Sequence, residues 1–198
     1  MHPGRDGRPL FRGLIAAIIA VALAPLSLSA TTVLPTTFDD LVREAATIVR
    51  AETTEVHSEW RDGAAGREIV TKVTLRVQRS LKGNAPTIIE LVFLGGTIGD
   101  TTLELSDRPR FAAGDRDFLF INDTGRPASP LVGFFAGRMP IKVDAFTHRE
   151  FVTAYDGRPL MSMAVSSWSR SLSGMRSAAA AALSPVDIES RIRDRVQR

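Results

Sequence analysis

The chain has no cysteine. Disulfides, thiolate metal sites, thiol nucleophiles and a lipid-bearing cysteine behind a leader are thereby excluded, and a domain built from this chain must be held by its core alone. Lysine is almost as scarce: Lys72, Lys82 and Lys142 stand among 25 basic residues, a compositional bias that carries no chemistry by itself. Of the three histidines His2 lies at the start, which leaves His57 and His148 for acid–base or metal work. Neither sign of charge dominates. From residue 31 onward 22 Lys and Arg face 21 Asp and Glu, so no basic footprint for nucleic acid or an anionic membrane exists.

A long hydrophobic run is also missing. Leu14–Ala24 is the one sustained apolar stretch, and its 11 residues would span only about 17 Å as a helix, short of the roughly 30 Å hydrocarbon core. With Arg5, Arg8 and Arg12 before it and Pro25 and Ser27-Leu28-Ser29-Ala30 after it, the stretch has the layout of a cleavable export signal over residues 1–30. Cleavage is expected after Ala30, with Ser29 as second choice, so the mature chain is read as starting at Thr31 and acting in the periplasm or outside the cell. No stable membrane span is expected after cleavage. The remainder divides into a mature N-terminal arm (31–35), a β domain (36–165), a Ser/Ala-rich linker (166–183) and a C-terminal amphipathic helix (184–198).

Within 36–165 the first element is a helix of about three turns: Thr37 caps, Asp39 and Asp40 occupy the first turn, and Phe38, Leu41, Val42 and Ala45 share a face. From Thr47 the pattern is extended, and its alternation slips at Thr54–Glu55, where a bulge or strand end belongs. After a turn-rich insert at 61–67 comes the clearest strand, with Ile69, Thr71, Val73, Leu75 and Val77 on one face and Lys72, Thr74, Arg76 and Gln78 on the other. Thr87–Leu94 is apolar on both faces except Glu90, which predicts a central strand. Gly95–Asp100 reads as a loop. Strands are then expected at Thr101–Leu105, Phe118–Ile121, Leu131–Phe135 and Met139–Asp144, with Pro140 demoting the last to an edge or a bulge. Tyr155-Asp156-Gly157-Arg158 makes a hairpin turn between Glu150–Ala154 and Leu160–Ala164. Ser184, Pro185 and the stripe Ile188, Ile192, Val196 open and build the final helix. The fold class is mainly β: an antiparallel closed or half-closed barrel with one helix at each end of the domain, a β-sandwich being the competitor.

Ala46–Glu52, Ile69–Val77 running into Ser80-Leu81-Lys82-Gly83, the Gly95-Gly96 pair, and Phe111-Ala112-Ala113-Gly114-Asp115 before Phe118-Leu119-Phe120 together resemble a family of uncharacterised exported bacterial β-barrel proteins. The same order is similar to netrin-like modules, including tissue inhibitors of metalloproteinases. Over roughly residues 45–121 that resemblance implies an OB-like barrel. Those inhibitors grip the protease zinc through a mature N-terminal Cys, and this chain has none. Thr31-Thr32-Val33 would have to supply the amine and carbonyl.

Candidate chemistry is sparse. His57 and Glu59, and His148 and Glu150, each share a face if they lie on strands, and all four would suit zinc if the strands were neighbours; solvated surface positions are the favoured reading. The stretch Ser106–Asp117 sets Asp107, Asp115 and Asp117 beside Arg108, Arg110 and Arg116, which suits calcium or an anion but more simply forms neutralising surface pairs. Asn122–Gly125 reads as a turn. No Gly-x-Ser-x-Gly elbow, Ser-x-x-Lys pair, His-Glu-x-x-His helix or phosphate-cradling glycine loop is present, and no cofactor is called for. Phe93, Phe111, Phe118, Phe120, Phe134 and Phe135 are expected in the core, whereas Trp60 and Trp168, with Thr31 and Thr32, are the candidate partner contacts. The functional expectation is an exported, non-enzymatic binding domain for a protein or glycan. The alternatives are a metalloprotease-inhibitor-like protein and an unrecognised hydrolase.

Overall fold

The computed structural model describes residues 37–63, 66–105, 108–122, 129–161 and 181–198. The expected signal (1–30), Thr31, Thr32, Trp168 and nearly all of the expected linker lie outside the described residues. Thr37 accepts from the Asp40 amide (3.1 Å) and Asp40 Oδ2 accepts from the Thr37 amide (3.1 Å), a reciprocal capping box at the start of the first helix. Helix α1 (Phe38–Glu44) is about two turns, shorter than the three expected. Ala45 and Ala46 would extend it by propensity. They are drawn off because the β-branched Thr47-Ile48-Val49 run enters the sheet, and Lys82 Nζ satisfies the helix's last carbonyls, on Val42 (2.7 Å) and Arg43 (3.1 Å).

Strands β1 (Thr47–Gly63) and β2 (Gly66–Lys82) form an antiparallel hairpin of 17 residues a side. The turn-rich insert expected at 61–67 is the hairpin's own end: Arg61 pairs with Glu68, and Gly63 with Gly66. The register slips three times, at Ile48/Val49, Arg50/Ala51 and Thr53/Glu55, the last at the bulge read from the sequence. The other strands are β3 (Ile88–Leu94), β4 (Gly96–Ile98), β5 (Thr101–Leu103), β6 (Arg116–Ile121), β7 (Arg138–Val143) and β8 (Glu150–Val152). Six of them make one antiparallel sheet in the order β3-β2-β1-β6-β7-β8, and β4 and β5 pair separately. β3 and β8 are not joined, so no closed barrel is found among the described residues.

Four expectations are corrected. β3 is an edge strand rather than a central one: only Leu91 and Phe93 are buried, and Ile88 is 52% exposed. Gly95–Asp100 holds β4, because Gly95 (φ +91°) and Gly96 (φ +151°) turn the chain across the hairpin and let it pair back with Thr101–Leu103. Leu131–Phe135 is a turn, in which Gly133 and Phe134 both take positive φ, and only Leu131 bridges to Ile121. Pro140 sits inside the sheet between β6 and β8. Its carbonyl accepts from Thr153, so the proline's missing donor falls on the side where the three-residue β8 ends. The Tyr155–Arg158 turn is present, and beyond it Pro159 bridges to Thr153 and Leu160 donates to Val152 (2.9 Å); residues 162–164 of the expected second strand lie outside the described residues.

Both faces of the sheet are covered at its middle. On the helix face Ile48, Phe118, Phe120, Met139, Ile141 and Val152 pack with Phe38, Leu41 and Val42 of α1 and with Ile188 and Ile192 of helix α2 (Pro185–Val196). On the opposite face Val49, Ala51, Val73, Leu75, Leu91, Phe93 and Leu119 form a second cluster with Leu131. Of the expected core aromatics, Phe93, Phe118 and Phe120 are fully buried; Phe111, Phe134 and Phe135 are half-buried. No helix among the described residues is long and apolar enough to cross a membrane.

The terminal helix packs back on the sheet and is capped as read, Ser184 and Asp187 forming its capping box. A carboxylate guides it. Arg50 and Arg79 lie directly opposite each other on β1 and β2, and the buried Glu189 of α2 bonds both, at 3.3 and 3.0 Å. Like charges placed across a ladder repel, so the helix supplies the anion that makes this pair tolerable.

Because Ile192 is fully buried against α1 and the sheet, Ile192→Ala should lower stability by about 2–5 kcal/mol in chemical denaturation, as for other buried Ile truncations. A change near zero would mean that the helix is dispensable. Acid should loosen α1: the Thr37 and Arg43 hydrogen bonds hold the exposed Asp40 carboxyl at about 2 against its ordinary 3.8. A depressed folded value means that the cap's contribution is whole above 3.8 and is lost as pH falls toward 2. A carboxyl NMR titration of Asp40 reads this directly.

Candidate binding cleft

The face opposite the helices carries a cleft of about 210 Å³. Its apolar lining comes from alternate positions of three strands, Val56 on β1, Val73 on β2 and Phe93 on β3, closed by Pro109 and Phe111 from the segment leading to β6. Thr71 and Arg108 make its polar end.

Thr71 is the hub. Opposite Phe93 in the β2–β3 ladder, it is buried, and its hydroxyl donates to the Gly95 carbonyl (2.7 Å). Arg108 Nη1 then donates both to Thr71 Oγ1 (2.7 Å) and to that same carbonyl (2.8 Å). With the Thr71 proton committed, Ser58 is the donor in its 3.1 Å contact with Thr71. Space for this cluster depends on Gly96. A Cβ there would stand 2.5 Å from Ser58 Oγ and 2.6 Å from Thr71 Oγ1.

Arg108 is half-buried and has no carboxylate partner among the described residues. Burial, and then the neighbouring Arg110, lower its pKa, with Glu104 opposing; Glu104 itself accepts from Arg110 at 3.1 Å. A guanidinium remains charged under such shifts. The cleft therefore ends in a positive fork that, among the described residues, uses one nitrogen on the protein and leaves its other donors uncommitted.

The outer wall is pinned from below. Phe111 packs on Phe93 with ring centroids 5.3 Å apart, and the guanidinium of Arg138 lies 4.0 Å over the Phe111 ring. Arg138 also binds Asp117 through two nitrogens (2.8 and 3.1 Å), Asp115 (2.8 Å) and the Arg110 carbonyl. Asp117 is wholly buried and Arg138 is 6% exposed. Burial pushes the Asp117 carboxyl above the ordinary aspartate value, against the downward pull of Arg138.

Among the described residues of the 106–117 stretch, the paired charges find partners outside it rather than in one another. Asp115 and Asp117 go to Arg138, Arg116 goes to Glu150, Arg110 to Glu104, and Asp107 lies outside the described residues. The expectation of weak surface pairs is corrected for Asp117, whose pair is buried. Arg138 was not singled out in the sequence, where it shares a phase with Pro140 and Lys142 and reads as solvated. The signal was Asp117, in phase with the buried Leu119, since a carboxylate in that position requires a cation.

The two His/Glu pairs do not meet. Glu59 binds Lys72 at 3.0 Å on the outer half of the hairpin, whereas Glu150 binds Arg50 and Arg116 beneath α2, and His148 sits in the turn before β8 at φ +54°. No group of three or more His, Asp and Glu that could hold a metal occurs among the described residues. Trp60 is 38% exposed, with Arg67 4.8 Å over its ring, and shares a sheet face with Val56 and Ser58 by strand alternation. That places it on the cleft's side, about 13 Å along β1 from Val56. Thr31, Thr32 and Trp168 lie outside the described residues.

No family model, no curated protein and no solved structure matches this chain. The functional reading therefore rests on the geometry of its own residues.

Truncating Arg138 to Ala strands Asp117 in the core and should cost about 3–5 kcal/mol in chemical denaturation, with the double variant Asp117→Leu/Arg138→Met recovering most of it. Equal losses in both would show that packing, not the charge pair, holds the wall.

Proposed function

We propose that this chain is an exported, non-enzymatic domain that binds a protein or glycan partner in the cell envelope or outside the cell, and that the Arg108 cleft receives an anionic group of that partner. The observation that supports the reading is the half-buried Arg108 fork at the polar end of an apolar cleft, with no carboxylate of the chain's own on it among the described residues. A cation kept partly out of water at a wall pinned by Arg138 is set to receive a carboxylate or a sulfate. Trp60, exposed on the same face, supplies a broad amphipathic contact of the kind that anchors interfaces.

Export rests on the Arg5–Ala30 signal layout. The half-closed, OB-like description is part of the same proposal: three register shifts bend β1, and Gly95-Gly96 carry the chain across the hairpin. The inhibitor-like alternative gains nothing from the described residues, since its contact residues Thr31 and Thr32 lie outside them.

The test is affinity capture with the tagged full chain from its own cells, run in parallel with Arg108→Gln and Trp60→Ala. A near-stoichiometric partner whose recovery or affinity falls about 10–100-fold in Arg108→Gln, at an unchanged unfolding midpoint, is the expected result. Equal capture by Arg108→Gln would remove the cleft from the interface, and a bait that captures nothing would sink the binding reading.

A further inference from the structure

The sheet's two edges are finished differently. At β8 the chain covers itself: the Val152 amide donates to the Leu183 carbonyl (2.9 Å), and the Val152 carbonyl accepts from Leu160 (2.9 Å). At β3 nothing comparable occurs. Among the described residues no backbone group other than those of β2 bonds to Ile88–Leu94, and the β4–β5 ribbon lies against β1 and β2 instead. The flanking bonds, Val77 amide to Thr87 carbonyl (2.8 Å) and Gly95 amide to Ile69 carbonyl (2.7 Å), fix which residues point inward. By alternation the backbones of Ile89, Leu91 and Phe93 face β2, and those of Ile88, Glu90, Val92 and Leu94 face outward, with no backbone partner among the described residues.

This edge has few of the devices that keep edges apart: β3 itself has no proline, no lysine and no bulge. Its single charge, Glu90, faces Lys72 of its own hairpin at 3.8 Å. Its sequence is that of a strand with neighbours on both sides, and the described residues supply one, β2. The geometry points to a second copy of this chain as the missing neighbour, its β3 adding antiparallel to the first about a twofold axis through Leu91.

Self-complementarity selects that occupant and that register. Centring on Leu91 overlaps the whole strand, sets Ile88 opposite Leu94 of the second copy and Glu90 opposite Val92, and brings outward-facing residues together in every hydrogen-bonded pair. Centring on Glu90 would put like charges face to face, which a ladder disfavours. In the Leu91 register the two Glu90 residues stand diagonally, each beside its own Lys72. The half-exposed Ile88 gains an apolar neighbour. A twofold normal to the sheet leaves both Arg108 clefts on one side, because Phe93 lines the cleft and sits in the paired strand. A seam of seven residues a side is small for an interface, so a reversible dimer in the micromolar range is expected rather than an obligate one.

Sedimentation of the full chain over about 1–200 µM, with amide hydrogen exchange at both ends of that range, tests this. The expected result is a concentration-dependent dimer, with exchange at Glu90 and Val92 slowed as it forms. Two variants guard against a folding artefact. Val92→Pro removes an outward donor while sparing the β2 bonds, and Ile88→Lys adds a charge at an already exposed position; each should weaken the dimer tenfold or more while unfolding stays cooperative. If Val92→Pro does not fold, Ile88→Lys decides. A wild type monomeric throughout, or a dimer indifferent to the folded variants, overturns the proposal. So does a monomer whose β3 amides become protected only when another protein is bound, because the occupant would then be a foreign strand.

Discussion

The buried pair between Asp117 and Arg138 is the constraint on which the cleft side of this domain depends. It links β6 to β7 through side chains as well as through the backbone, and Arg138 spends its remaining donors on Asp115 and on the Arg110 carbonyl. One guanidinium thereby fixes the irregular segment before β6, and its flat face supports Phe111. Without that support the cleft would lose its outer wall and Arg108 its fixed distance from Thr71. Ion pairs of this kind contribute little net stability compared with apolar replacements, but they are specific. Here the specificity sets the geometry of a loop that has no regular secondary structure.

The opposite face follows a different logic, with two helices from the two ends of the domain meeting over the same strands. Phe38 packs edge-on to Phe120 at 5.9 Å, Ile188 and Ile192 fill the space beside them, and Glu189 settles between Arg50 and Arg79. Apolar burial holds the helix down, and the carboxylate fixes its position along the sheet. Arg50 also reaches Glu150 of β8, so the charged network runs from the hairpin to the far edge beneath the helix.

How much of this was legible in the sequence depended on whether the signal was local. Both helix caps were, because Thr37 and Ser184 each stand directly before the helix they open; the reciprocal bonds from Asp40 and Asp187 came with the structure. β2 was legible because its alternation is unbroken over nine residues, and the bulge near Thr54 because the alternation slips there. β3 was misplaced because apolar residues on both faces report a need for cover, not which chain provides it. Leu131–Phe135 has the composition of a strand, but Gly133 and Phe134 in left-handed conformations make it a turn, a tertiary choice that pattern cannot report. The cleft was out of reach for the same reason. Arg108 was visible as one of several charges, but its lack of a carboxylate partner among the described residues arises only once Asp115 and Asp117 have gone to Arg138, 21 or more residues away.

The course of the chain has a consequence for the order of assembly. The helix-face core contains Phe38 and Ile192, and the β8 edge is sealed by Leu183, so this core joins α1 to the segment that runs from Leu183 through α2. A chain emerging from a ribosome or a translocon can form the β1–β2 hairpin early, since that pairing is local. It cannot close the helix-face core until Pro185–Val196 is available to pack. That face therefore closes only once the chain through Ile192 is out of any channel, which keeps the earlier strands threadable until then.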